Sequence, residues 1–114
     1  MTNNNEIELK NYTPHTINLL DEDNKELFSI PPEGEVPRVE EKSEKIGSVG
    51  AEVAPLYKVE LGQVKNLPEP EEGVVLIVSK MVARASNRDD LIVPYNLVRD
   101  EEGRIIGCRG FARV

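Results

Sequence analysis

Arginine is the residue whose placement in this sequence most directly indicates chemistry. All seven lysines lie between Lys10 and Lys80, whereas six of the seven arginines lie in residues 84–114 and only Arg38 precedes them. Residues 84–114 carry a net charge of +1, and residues 1–83 carry −8. Because the rigid guanidinium fork binds a phosphate or carboxylate through two parallel hydrogen bonds, an arginine-only segment suits a pocket for a small anion.

Two interpretations of these arginines compete. In the first, they alternate along strand faces and pair with neighbouring acids, as Arg99 with Asp100, and such surface pairs contribute only ~0–1 kcal/mol each. In the second, they line a ligand pocket. The second gains weight because Arg109 lies close to glycines and to Phe111, where the backbone allows close approach and an aromatic ring can stack on a base.

The other reactive residues do not assemble into a catalytic centre. His15 is the only histidine, and its favoured role is structural, with the ring donating to a backbone carbonyl near Pro14; ligand contact is the alternative. Ser79 is interpreted as a helix cap and Cys108 as a small apolar residue on a strand. We therefore predict a protein with no catalytic residues, although an enzyme using His15 as general base on a cyclic nucleotide remains an alternative.

Metal ions and cofactors are not expected either. The acidic pairs at 89–90 and 101–102 fall in predicted turns, where carboxylates are usually solvated, and adjacent residues on a strand point to opposite faces. The sequence has no glycine-rich phosphate loop or dinucleotide fingerprint, so side chains would have to hold a nucleotide.

Composition narrows the class of protein. The chain has 114 residues, a net charge of −7, 39% hydrophobic residues and one cysteine, which predicts a single domain without an internal disulfide. The negative charge argues against nucleic acid or anionic lipid as a partner. No apolar run approaches the ~20 residues that span a bilayer, so we expect a cytoplasmic protein. Residues 1–5 are predicted to be disordered and residues 6–114 to form the domain.

The first half of the chain predicts strands. Apolar and polar residues alternate near residues 7–9 and 17–19, which is typical of half-buried strands. The strand at 17–19 is expected to form an antiparallel hairpin with 27–30 around a turn at 21–24. A short edge strand is predicted at 36–39. The charged segment 40–52 is expected to be an exposed loop or a loose hairpin, followed by a strand at 53–64.

The second half predicts a central strand and one helix. Residues 67–73 contain two prolines and should form a connector, and the β-branched run 74–78 should be a buried central strand. A short helix is expected over 80–85, after which a strand at 91–93 ends at Pro94. A final hairpin is predicted around the turn at 100–103. The fold class is therefore α+β, a small mainly antiparallel β domain with one short helix.

A set of motifs spread over nearly the whole chain resembles a small protein found widely in phages and prophages. The motifs are Asn-x-Thr-Pro-His-x-Ile from Asn11, Leu-Pro-Glu-Pro from Leu67, Ile-Val-Ser-x-x-Val-Ala from Ile77, and Val-Arg-Asp-x-x-Gly-Arg-Ile-Ile-Gly from Val98. Phage proteins of this size include the Thoeris anti-defence sponges, which hold cyclic ADP-ribose derivatives or cyclic oligonucleotides without cleaving them. The analogy assigns no residue roles.

The leading hypothesis is a phage-type noncatalytic binder, or sponge, of an anionic nucleotide-derived immune signal in the host cytoplasm, acting as a homo-oligomer. The alternative is a protein-interaction module that inhibits a host protein or assembles in a virion. For the first, arginines would clamp phosphates, asparagines would contact ribose or base, and aromatic rings would stack. The candidate ligand-binding residues are Arg84, Asn87, Arg88, Tyr95, Asn96, Arg99, Arg104, Arg109, Phe111 and His15.

Overall fold

The computed structural model describes residues 7–114 and contains eight strands and one short helix within that range. In chain order the elements are β1 (Glu8–Asn11), β2 (Ile17–Leu20), β3 (Glu26–Ile30), β4 (Arg38–Val49), β5 (Ala54–Lys65), β6 (Val74–Ile77), α1 (Lys80–Ser86), β7 (Leu91–Arg99) and β8 (Ile105–Ala112). This confirms the predicted fold class. The prediction of disorder at 1–5 lies outside the described residues.

Six strands form one mixed sheet in the order β1-β6-β7-β8-β2-β3. The hairpins β2–β3 and β7–β8 are antiparallel, as predicted, and β6 runs parallel to both β1 and β7. The parallel pairing of β6 with β7 follows from α1, because a helical crossover returns the chain to the same end of the sheet. The buried strand at 74–77 therefore lies one strand in from the sheet edge.

The helix begins and ends where local chemistry predicts. The Ser79 hydroxyl accepts a hydrogen bond from the Val82 N–H at 3.3 Å, confirming the N-cap. At the other end Asn87 adopts a left-handed conformation, with φ of 50°, and its N–H donates to the Ala83 carbonyl. Val82 and Ala83 are buried against the sheet, in a cluster with Leu76, Val78, Leu91 and Val93.

The opposite face of the sheet carries a second, smaller apolar cluster. Its buried members are Ile17, Ile77 and Cys108, and half-buried residues that include Leu19 and Phe111 pack around them. Cys108 is 1% exposed, which confirms its predicted role as a small apolar residue on a strand.

The prediction that Pro94 ends its strand is wrong, because β7 continues to Arg99. The Ile92 carbonyl accepts from the Val78 N–H, so Ile92 faces β6. Because the direction of the backbone polar groups alternates along a strand, the nitrogen of Pro94 also points toward the β6 side. It lies beyond Ile77, the last β6 residue that pairs with β7. The missing proline N–H therefore removes no ladder hydrogen bond at this position.

The most unusual element is a long hairpin, here called the arm, formed by residues 38–65. Its strands β4 and β5 each have 12 residues, and their side chains are almost all exposed. Only the base packs on the domain, where Val39 and Val64 contact the cluster that includes the helix. The predicted edge strand at 36–39 is thus wrong in extent. Segment 40–52 takes the hairpin alternative, because β4 pairs with β5 over most of its length.

Candidate functional site

A buried asparagine organises the loop that forms one wall of the candidate site. Asn11 is fully buried, and its Nδ2 donates to the carbonyls of His15 at 2.7 Å and Ile30 at 2.9 Å. Its Oδ1 accepts from the Thr13 N–H at 2.9 Å and from the Thr13 hydroxyl at 2.6 Å. One side chain therefore closes the loop after β1 and ties it to the end of β3.

That loop and the β7–β8 hairpin enclose a groove of about 620 Å³. Its lining is mostly apolar and includes Ile17, Pro94, Leu97, Ile105 and Ile106. The polar residues on it are Thr13, His15, Thr16, Asn18, Arg99 and Arg104, with Cys108 beneath. The groove has the size and mixed lining of a site for a small ligand.

The hairpin turn places two arginines on the groove and engages some of their donors. The Arg99 guanidinium donates from Nη1 to the Gly103 carbonyl at 2.9 Å. Arg104 pairs with Asp100, Nε to Oδ2 at 3.3 Å, and also with Glu102. The predicted pairing of Arg99 with Asp100 is thus replaced by Arg104 with Asp100. With three acids and two arginines in residues 99–104, this rim has no excess positive charge.

Arg88, predicted to bind a ligand, forms structural contacts. Its Nε and Nη2 donate to the two carboxylate oxygens of Asp90 at 2.9 and 2.5 Å, and its Nη1 donates to the Pro68 carbonyl at 2.8 Å. Both side chains are only about one-fifth exposed, at 22% and 20%. This bidentate pair therefore ties the connector before β6 to the start of β7.

The pair predicts a pH dependence of stability. The hydrogen bonds from Arg88 hold the pKa of Asp90 below its usual value, so the stabilisation is complete above about pH 4 and is lost as the pH falls through the lowered value. For Asp90→Asn we expect a free energy of unfolding about 1 kcal/mol lower at pH 6 and a shallower decline toward pH 2.5. Urea unfolding at several pH values measures both. The exposed neighbour Asp89→Asn is the control, and an equal slope in all three proteins would contradict the assignment.

Other predicted site residues are dispersed over the molecule. Arg109 reaches the β2–β3 turn, where Nε donates to the Asp21 carbonyl at 3.2 Å and Nη2 to Asn24 Oδ1 at 2.5 Å. Asn87 caps the helix, and Arg84 is exposed on its last turn. Phe111 packs half-buried on the second cluster, whereas Tyr95 and Asn96 are exposed on β7.

The structure therefore brings together three of the ten predicted residues, His15, Arg99 and Arg104. The arginines do not converge because β8 lies between β7 and β2, which directs Arg109 to one neighbouring turn and leaves Arg88 at the connector. His15 is also corrected, since its carbonyl accepts hydrogen bonds from Asn11 and Thr13 while its ring is exposed on the groove.

The candidate nucleophiles Cys108 and Ser79 are not activated for attack on a substrate. Burial raises the pKa of the Cys108 thiol, which lowers the fraction of reactive thiolate at neutral pH. The Ser79 hydroxyl is engaged in the helix cap.

Among residues 7–114, no group of three His, Cys, Asp or Glu side chains is arranged to hold a metal ion. No helix within the same range is long and apolar enough to cross a bilayer.

The arm presents a second candidate surface, which the sequence reasoning missed. Tyr57, Val59 and Leu61 follow one another on the same face of β5 and are 54%, 53% and 51% exposed. Residues opposite them on β4 are Lys45, Ser43 and Glu41. We call these six residues the apolar face of the arm. The alternation of Tyr57, Val59 and Leu61 with polar residues was visible in the sequence, but a strand in a buried sheet has the same pattern.

Toward its tip the other face of the arm carries Val49 and Leu56, which are 49% and 43% exposed, and at its middle this face is charged. Cross-strand partners of opposite sign lie there, Lys42 with Glu60 and Glu44 with Lys58, and Lys58 Nζ also lies 3.2 Å from a Glu60 oxygen. The arm is therefore amphipathic at its middle, where a charged face lies opposite the apolar face, and nothing in the described chain covers the apolar face beyond its base.

Comparison of the chain with protein-family models, with curated proteins and with solved structures finds no match. Two surfaces of the described chain are therefore the candidates for function, the groove and the apolar face of the arm.

Proposed function

We propose that this chain is a noncatalytic interaction protein that binds a protein partner through the apolar face of the arm. The observation that carries the proposal is the combination of length and exposure, since twelve-residue strands extend beyond the domain with Tyr57, Val59 and Leu61 each about half exposed. An isolated two-stranded hairpin is marginally stable in water at best. A surface of this kind is stabilised when another apolar surface covers it.

The charge of the arm indicates the chemistry of that partner. Residues 38–65 contain five cationic and five acidic side chains, so the arm has no net charge to attract an oppositely charged surface. The partner should therefore present apolar side chains with polar residues of both signs around them, as ordinary protein interfaces do. The strongly acidic remainder of the chain disfavours nucleic acid.

Site-specific photo-crosslinking tests this proposal. A benzophenone amino acid replaces Tyr57 on the arm or, as the matched control, Tyr95 on β7, because both tyrosines are 54% exposed. Irradiation of cells producing each variant should give one discrete protein adduct from position 57 and none from position 95. The adduct should disappear when Val59→Glu is added. The proposal is wrong if position 57 gives no adduct, or if the two positions give the same pattern.

A second candidate function is the binding of a nucleotide-derived anion, such as a cyclic ADP-ribose derivative or a cyclic oligonucleotide, in the groove. It is favoured by the placement of His15, Arg99 and Arg104 on one largely apolar groove of about 620 Å³. The apolar wall would contact the base, and the free donors of Arg99 would bind a phosphate oxygen. This function keeps the sponge hypothesis, with the host cytoplasm as the place of action.

Calorimetry with a panel of cyclic ADP-ribose isomers and cyclic dinucleotides tests this second candidate. Binding should weaken at least about tenfold in Arg99→Gln, because a charge-assisted hydrogen bond is lost. Arg84→Gln on the helix should bind as the wild type does. Absence of heat at tens of micromolar protein, or equal affinities for both variants, would exclude the groove as an anion site. The same samples test the enzyme alternative, since a bound ligand recovered intact eliminates hydrolysis.

A further inference from the structure

We infer that the partner covering the apolar face of the arm is a second copy of this chain, packed antiparallel and face to face about a two-fold axis near Val59. This inference rests on the proposed function, because it names the partner of the same surface. It draws on the order of side chains along the arm, the distribution of charge and the exposed area.

The order of side chains makes the apolar face self-complementary. Three cross-strand pairs follow one another along it, Glu41 with Leu61, Ser43 with Val59 and Lys45 with Tyr57. Along β4 the charge on this face therefore changes from negative at Glu41, through the neutral Ser43, to positive at Lys45. When two arms pack antiparallel about Val59, each Glu41 lies opposite the partner's Lys45, and each Leu61 lies opposite the partner's Tyr57. A two-fold interface requires this matching of one patch with itself.

The charge distribution also favours antiparallel pairing of two copies. The chain carries −7 in total, and the balanced charges of residues 38–65 leave that whole excess outside the arm. Antiparallel arms place the two acidic domains at opposite ends of the dimer, where solvent screens their repulsion. A parallel face-to-face arrangement would bring the two acidic domains together and would place each Glu41 opposite the partner's Leu61.

The chain as a whole is extended and exposes more surface than a compact chain of its mass. The accessible surface is 8579 Å², whereas a compact chain of 12.7 kDa exposes about 6,200 Å². The radius of gyration is 18.1 Å, against about 13 Å for a compact chain of this length. This surplus belongs to the whole chain, and the apolar face of the arm supplies part of it; a standard interface buries roughly 800 Å² on each partner.

Sedimentation velocity of the full chain over 5–200 µM measures the association. The wild type should shift from 12.7 kDa to twice that mass as concentration rises. Val59→Glu, which places a charge on the two-fold axis, should raise the dimer dissociation constant at least about 100-fold. Val53→Glu is the matched control, because Val53 is 81% exposed in the turn at the tip of the arm and lies off the apolar face.

Charge exchange tests the antiparallel register. Glu41→Lys alone and Lys45→Glu alone should each be monomeric at concentrations where the wild type is dimeric, because each creates two like-charge contacts. An equimolar mixture of the two variants should restore the dimer mass, and so should the double variant Glu41→Lys/Lys45→Glu. Circular dichroism of each variant shows whether it is folded.

The outcomes separate this inference from the proposed function. A wild type that remains at 12.7 kDa up to 200 µM overturns self-pairing, as does a dimer that Val59→Glu leaves intact. If self-pairing fails while the crosslinker at position 57 still gives an adduct with a different protein, the arm remains an interaction surface. If neither a dimer nor an adduct forms, both proposals fail.

Discussion

Asn11→Ala is expected to lower the free energy of unfolding by about 3–4 kcal/mol. The substitution removes four hydrogen bonds made by one fully buried side chain and leaves the Ile30 carbonyl and the Thr13 N–H without their partner. A buried polar group without a partner costs about 1–3 kcal/mol. Urea unfolding followed by circular dichroism measures the change.

The variant Asn11→Asp should make the free energy of unfolding depend on pH through the same contact. In Asn11→Asp an oxygen replaces the amide nitrogen that faces the carbonyls of His15 and Ile30. Burial and these carbonyl oxygens should raise the pKa of the introduced carboxyl, so that the folded state binds a proton which the unfolded state releases. The variant should therefore lose stability as the pH rises from about 4 to 7, whereas the alanine variant should show no such added dependence.

Asn18→Ala is the control for both asparagine variants. Asn18 also hydrogen-bonds across strands, from Nδ2 to the Ile106 carbonyl at 3.2 Å and from the Ser29 hydroxyl to its Oδ1, but these contacts are exposed. Its loss should cost less than about 1 kcal/mol. Equal losses for Asn11→Ala and Asn18→Ala would show that the buried amide has no special structural role.

Local chemistry explains the elements that the sequence predicted correctly. Ser79 caps the helix and Gly103 adopts a φ of 83° in the last hairpin, and both are preferences of the residue itself. The β-branched residues 74–78 likewise predict a buried strand without knowledge of its neighbours. These features depend on residues close in sequence, so they are visible without the fold.

The arm could not be predicted as fully, because its first strand has no strong preference of its own. Residues 40–52 are charged and contain two glycines, and they become a strand only because residues 54–65 pair with them. Pairing of this kind depends on context more than on propensity. The sequence therefore left an exposed loop and a loose hairpin as alternatives, and it did not predict a hairpin that extends so far from the domain.

The predicted arginine pocket depended even more on contacts between distant residues. Arg109 binds the turn near Asp21 because β8 pairs with β2, and Arg88 binds the Pro68 carbonyl because the connector returns alongside it. Neither partner is close in sequence. Clustering of arginines in one segment predicted proximity in space, but strand order separated their side chains.

A second large effect is expected at Gly107, where β8 lies close against β2. A Cβ added there would lie 2.6 Å from the Asn18 carbonyl oxygen and 2.9 Å from Leu20 carbons. The first contact involves backbone, so a strand must shift to relieve it. Gly107→Ala should lower the free energy of unfolding by about 1–3 kcal/mol, as overpacking of a core does. Hydrogen exchange should also accelerate in β2 and β3, because β8 is the strand that pairs this hairpin with the rest of the sheet.

Gly110→Ala provides the matched control on the same strand. A Cβ at Gly110 meets no atom within 4 Å, so this variant should stay within about 0.5 kcal/mol of the wild type or gain slightly from the reduced freedom of the unfolded chain. Equal midpoints for the two variants would mean that β2 and β8 can separate at no cost. In that case the groove between the 12–16 loop and the last hairpin would not be held by strand packing, and its volume would not describe a preformed ligand site.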